Sequence, residues 1–170
     1  MTKQVNPEVA YKKGLYYLKG EGEGKSLEKA RECFEEAASQ GSEQALFQLG
    51  EIYWWGKPGK DVKKAIHYYE LAADKDDKDA QHALGFAYQY GHGVEVDLEK
   101  AIDLLMKAAM QGQSEAQNRI GNAYRSGEGV RQNHTAAYNW YRQSSVFNSH
   151  GMCNLVYTQM DTASARKRWR

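Results

Sequence analysis

A chain of 170 residues, 41% hydrophobic and 26% charged, is long enough to bury one sizeable core and is not composed like a disordered or membrane-embedded chain. Its 23 basic residues nearly cancel its 22 acidic ones, which excludes a global field that recruits nucleic acid or anionic lipid, so electrostatic recognition must be local. No apolar run approaches the roughly 18 residues of a spanning helix, and Met1 to Asn6 lack the apolar stretch of a secretory signal, so a soluble cytoplasmic protein is expected.

With 2 prolines the chain can be mostly helix, and its 16 glycines must then punctuate it. In chain order, the first predicted helix spans 7–19. It carries Gly14, then Tyr17 three residues later, and Gly20 three beyond that. A glycine one turn before a ring lets a neighbouring helix approach at the glycine and pack on the tyrosine. Gly20-Glu21-Gly22 offers positive φ and ends the helix. Ser26 is an N-cap type and opens a second helix over 27–39, which holds Ala30 and the small pair Ala37-Ala38 and stops at Gly41.

The rest of the chain repeats this unit at a shift of 35 or 36 residues. The glycine recurs at Gly50, Gly85 and Gly121, the tyrosine at Tyr53, Tyr88 and Tyr124, and the second glycine at Gly56, Gly91 and Gly127. The capping residue recurs as Asp61, Asp97 and Asn133, and the stop as Asp76, Gly112 and Asn148. Helices are predicted over 43–55, 62–74, 79–90, 98–110, 115–126 and 134–146, with a last one over 149–160. The second unit replaces the Gly-x-Gly turn by Gly56-Lys57-Pro58-Gly59, one residue shorter.

Leu49-Gly50-Glu51-Ile52-Tyr53, Asp97-Leu98-Glu99-Lys100-Ala101, Ala108-Ala109-Met110-Gln111-Gly112 and Gly91-His92-Gly93-Val94 together resemble the Sel1-like repeat signature, over about residues 8 to 148. A tetratricopeptide array shares the Leu-Gly-x-x-Tyr step but has a period of about 34 and no Gly-x-Gly turn. The resemblance implies an all-α, right-handed superhelix (α-solenoid) of about four antiparallel helix pairs. The repeats fall near 8–42, 43–77, 78–113 and 114–148, a capping helix at 149–160 completes a domain over 1–164, and a basic tail follows at 165–170. It further implies an adaptor in protein complexes, expected as a monomer, without a cofactor or small-molecule substrate.

In stacked helix pairs the first helices line the concave face, so partner contacts are sought on the side of each first helix opposite its packing stripe. With Ala45, Leu49, Ile52 and Tyr53 inward, that side carries Gln44, Gln48, Glu51 and Trp55. The same positions hold Lys12 in the first unit, Phe86 and Tyr90 in the third, and Arg119 and Asn122 in the fourth. Rings ringed by polar groups are the usual composition of a binding hot spot, which makes Trp55, Phe86 and Tyr90 the candidate anchors and Gln48, Glu51, Lys12, Arg119 and Asn122 their surround. Trp54 is expected inside. The tail, with Arg166, Lys167, Arg168 and Arg170 around Trp169, is a second candidate, for phosphate, anionic lipid or an acidic partner.

Little in the chain points to catalysis. His67, His82, His92, His134 and His150 lack ligand spacing for zinc. Gly20 to Gly24 lacks the lysine and hydroxyl of a phosphate loop. Ser26, Ser42 and Ser114 read as helix caps, and Asp74 to Asp79 as a solvated connector. Cys33 and Cys153 have no paired spacing and read as small buried hydrophobes. The expectation is therefore a non-enzymatic protein-binding module. The alternatives are an immunity or inhibitor protein against a toxin, and, from another class, a hydrolase of the cell-wall or β-lactam type, for which no nucleophile and base are found.

Overall fold

The computed structural model describes residues 6–21, 24–56 and 59–145. Among them are eight helices and no strands: α1 (Pro7–Lys19), α2 (Leu27–Ser39), α3 (Glu43–Trp55), α4 (Val62–Ala73), α5 (Lys78–Tyr90), α6 (Leu98–Met110), α7 (Ser114–Ser126) and α8 (His134–Ser145). These bounds agree with the expected helices to within a residue. The helix expected over 149–160, Asn148, Cys153 and the basic tail lie outside the described residues. No described helix is long and apolar enough to cross a membrane.

One set of bonds builds every repeat. The amide of each capping residue donates to the carbonyl of the recurring tyrosine: Ser26 to Tyr17 at 3.1 Å, Asp61 to Tyr53 at 2.9 Å, Asp97 to Tyr88 at 3.0 Å and Asn133 to Tyr124 at 2.8 Å. The same side chains then accept from the third residue onward, at 3.3 Å for Ser26, 3.1 Å for Asp61, 2.9 Å for Asp97 and 3.0 Å for Asn133, satisfying a free amide of the second helix. The second repeat closes with one residue fewer because Gly56 is extended, at φ −61°, where Gly20 and Gly127 are left-handed.

The small pairs terminate the second helices. After α2, Ser42 and Gly41 donate to Ala37 and Ala38, both at 3.0 Å, and Asp77 and Asp76 do the same to Ala72 and Ala73 at 3.1 and 3.0 Å. Asp76 holds the left-handed position at φ 61°, and no other non-glycine among the described residues has positive φ. Two sequence readings are corrected here. Asp77 is not a mere connector, since its Oδ1 accepts from the amides of Asp79 and Ala80 at 3.0 and 2.8 Å and so caps α5. Ser42 makes no side-chain cap bond, and at α7 Gln113, not Ser114, supplies the cap, at 2.6 Å to the Ala116 amide.

The chain divides into two compact units, Met1–Ala80 and Gln81–Arg170. In unit 1, Phe34 of α2 covers Gly14 of α1, and Tyr69 of α4 covers Gly50 of α3 while meeting Phe47 and Trp54 at 6.0 Å each. In unit 2, Leu105 covers Gly85 and Tyr141 covers Gly121, while Leu105, Ala108, Ala109, Ala116 and Ile120 form a core flanked by Met106, Tyr124 and Trp140. The recurring glycine is thus a socket for a large side chain of the second helix, about 19 or 20 residues later. Cys33 is buried, and burial pushes its thiol up.

Candidate functional site

In unit 1 the end of α3 carries two adjacent tryptophans with opposite fates. Trp54 is 9% exposed and packs on Tyr69, whereas Trp55 is 69% exposed. Trp55 stands at the rim of a groove of about 330 Å³ whose apolar wall is Leu18, Leu27, Phe47 and Ile52. Gln48 and Glu51 line the same groove and Lys25 stands on it, so three of the expected contacts come together. Glu51 is oriented from inside: its Oε1 accepts from the Tyr69 hydroxyl at 2.7 Å. Lys12 is elsewhere, pairing with Glu8 at 2.8 Å beside a separate depression that includes Gln44 and the turn at Gly41 and Ser42.

In unit 2, Phe86 and Tyr90 lie 4.8 Å apart on one side of α5. Arg119 of α7 lays its guanidinium 4.4 Å from the centre of Phe86, donating from Nε to His82 Nε2 at 3.2 Å and from Nη1 to Gln89 Oε1 at 3.4 Å. Phe86 is therefore half covered, while Tyr90 remains 52% exposed. His92, which the sequence reading set aside as one of several scattered histidines, joins the rings at 5.4 Å from Phe86 and 6.0 Å from Tyr90. Its position directly after Tyr90, in the glycine turn, was the available signal. Asn122 turns toward α8 and accepts from the Tyr141 hydroxyl at 2.8 Å, so its amide oxygen is part of the helix-pair packing.

A different recurring feature escaped the sequence reading. The residue three past each cap is Lys29, Lys64 or Lys100 in the first three repeats, and each ammonium sits over the tyrosine of its own repeat, at 5.2, 5.4 and 4.1 Å from Tyr17, Tyr53 and Tyr88. Lys100 also donates to the Tyr88 hydroxyl at 2.6 Å. These cations brace the turns. Among the described residues no cluster of three or more His, Cys, Asp or Glu is placed to hold a metal ion.

The Sel1 repeat pattern matches residues 7–42, 43–77, 78–113 and 114–145. The chain belongs to the Sel1 repeat family. Among solved structures it is similar to a protective antigen of uropathogenic Escherichia coli that displays an SLR fold, with 32% identity over 89% of this chain and 33% of that one at a TM-score of 0.85. It is also similar to a Sel1 repeat protein from Oxalobacter formigenes, with 30% identity over 88% of this chain and 62% of the other at 0.83. Cysteine rich protein B of Helicobacter pylori is 25% identical over 66% of this chain and 95% of its own, at 0.53. The chain thus spans about a third of the first of these proteins and 62% of the second. No curated protein matches it. Sel1 repeat proteins are in general protein-interaction modules built on an all-α repeat fold.

Proposed function

We propose that this Sel1 repeat chain acts as a non-enzymatic adaptor that holds another protein on its first helices, with Trp55 as the anchor in unit 1 and the ring pair Phe86 and Tyr90 as a further contact in unit 2. The observation that carries the reading is the 69% exposure of Trp55 at the rim of an apolar groove. A ring of that size held in water at the end of a rigid helix gains hydrophobic free energy when a partner covers it, and truncating such an anchor costs roughly 2 kcal/mol or more of binding. Gln48 and Glu51 supply the polar edge that an interface places around its anchor.

The test is affinity capture from the native cell with the purified chain as bait, set beside a variant carrying Trp55→Ala, Phe86→Ala and Tyr90→Ala. The expected result is a defined partner that co-elutes with the wild type and is lost from the variant while helicity is unchanged. Retained capture by a folded triple variant removes these residues from the binding surface.

A further inference from the structure

We propose that Arg119, with the rings it rests on, is a receptor for an acidic side chain of the partner protein, and that an apolar group beside that acid settles on Tyr90. The inference rests on the protein-binding reading above and names the chemistry recognised in unit 2. The guanidinium is 4.4 Å from the centre of Phe86 and 5.9 Å from that of Tyr90, and is pinned by its bonds to His82 and Gln89. A planar cation stacked on a ring and bonded on two sides has lost most of its rotamer freedom before a ligand arrives, so binding does not have to order it.

Its two hydrogen-bond acceptors are an imidazole nitrogen and an amide oxygen, and among the described residues Arg119 makes no ion pair, not even with Glu115 one turn earlier on α7. Two of the five guanidinium N–H groups are used, and the remaining three, on Nη1 and Nη2, can each donate to a carboxylate oxygen. Arg119 brings a single guanidinium to these rings, which suits the single negative charge of a carboxylate. The 52% exposure of Tyr90 makes this an open platform, suited to a side chain that another folded protein presents.

The test is a titration of the full chain with the blocked peptide acetyl-Ala-Glu-Phe-Glu-Ala-amide, following by NMR the Arg119 Nε–Hε resonance in the wild type and the Phe86 and Tyr90 ring resonances in the wild type and every variant. A saturable shift is expected, with binding about ten-fold weaker for the peptide carrying Gln in place of both Glu, the loss that one charge-assisted hydrogen bond brings. Arg119→Gln should abolish the saturation. Arg119→Lys, which keeps the charge but not the planar fork, should weaken binding several-fold, and helicity should be unchanged in both. Equal affinity for the Glu and Gln peptides, a wild-type titration in Arg119→Gln, or no saturable shift overturns the proposal. Binding only to a Gln peptide with a free terminal carboxylate also overturns it, since the site would then read chain ends. Because the titration needs no native partner, its failure leaves the Trp55 capture experiment to decide the broader reading.

Discussion

Tyr69 reaches from α4 across Gly50 and donates its hydroxyl hydrogen bond to Glu51, the residue beside that glycine, at 2.7 Å. Tyr141 repeats the arrangement over Gly121, donating to Asn122 at 2.8 Å. Glycine, ring and acceptor therefore act as one device: the missing side chain admits the ring, and the admitted ring orients a polar group on the face of the first helix. In unit 1 that polar group lines the Trp55 groove, which ties the packing of the repeat to the shape of its candidate site.

The socket predicts the sign of a simple substitution. In an exposed helix, Gly→Ala is stabilising by about 1 kcal/mol. At Gly50 a β-carbon would overlap the Tyr69 ring, which is itself held by Phe47 and Trp54 and cannot withdraw. Gly50→Ala is therefore expected to destabilise by about 1–3 kcal/mol, as overpacking does. Urea denaturation checks this, and a variant more stable than wild type would show that the ring has somewhere to go.

The same phenol makes stability depend on alkaline pH. Burial pushes the Tyr69 hydroxyl well above its ordinary value of 10.0, and the hydrogen bond to Glu51 and the charge of that carboxylate push the same way. The folded state thus holds this proton more tightly than the unfolded state does. Its contribution is complete below pH 10.0 and is lost as pH rises beyond that, at about 1.4 kcal/mol per pH unit for one proton. Tyr69→Phe should cost about 1 kcal/mol near neutrality, through the lost bond to Glu51, and should flatten the alkaline loss by that single-proton slope. Denaturation midpoints from pH 8 to 12 measure both, and parallel curves for the two proteins would contradict the assignment.

The markers that were legible in the sequence are those whose job demands a narrow class of residue. The socket glycines are invariant, while the caps Ser26, Asp61, Asp97 and Asn133 and the stops at Gly41, Asp76 and Gly112 vary only among the few types that backbone geometry admits. What fills the sockets was not legible, because Phe34, Tyr69, Leu105 and Tyr141 share size and position but not identity. Helix phase puts Gln48, Glu51 and Trp55 on one side of α3, where they line one groove, yet it cannot say which way a long side chain turns. Arg119 lies down on Phe86, Asn122 turns into α8, and Lys12 sits by another depression. Each outcome depends on neighbours brought in from another helix.

Asp76 carries a testable strain. At φ 61° it adopts the left-handed conformation that glycine takes at Gly41 and Gly112, and aspartate is among the few residues that tolerate it. Asp76→Ala keeps the β-carbon and loses that tolerance, so it should destabilise by about 1 kcal/mol, whereas Asp76→Gly should cost less than Asp76→Ala. Thermal melts of the pair decide the matter. Equal losses in both would mean that the carboxylate, rather than the backbone angle, is what the position needs.

Trp54 and Trp55 offer the sharpest contrast between what holds the fold and what the fold presents. Trp54 is 9% exposed against Tyr69, so Trp54→Ala should leave a cavity and cost about 3–5 kcal/mol. Trp55, at 69% exposure, meets the buried Trp54 only edge to face at 6.3 Å, and Trp55→Ala should cost far less than Trp54→Ala, about 1 kcal/mol or less. Chemical denaturation of the two variants measures the difference, and equal costs would place both rings in the packing. The asymmetry also fixes how the capture experiment is read: a Trp55→Ala chain that folds as well as wild type but loses its partner has lost a contact, because the stability measurement has already removed misfolding as the cause.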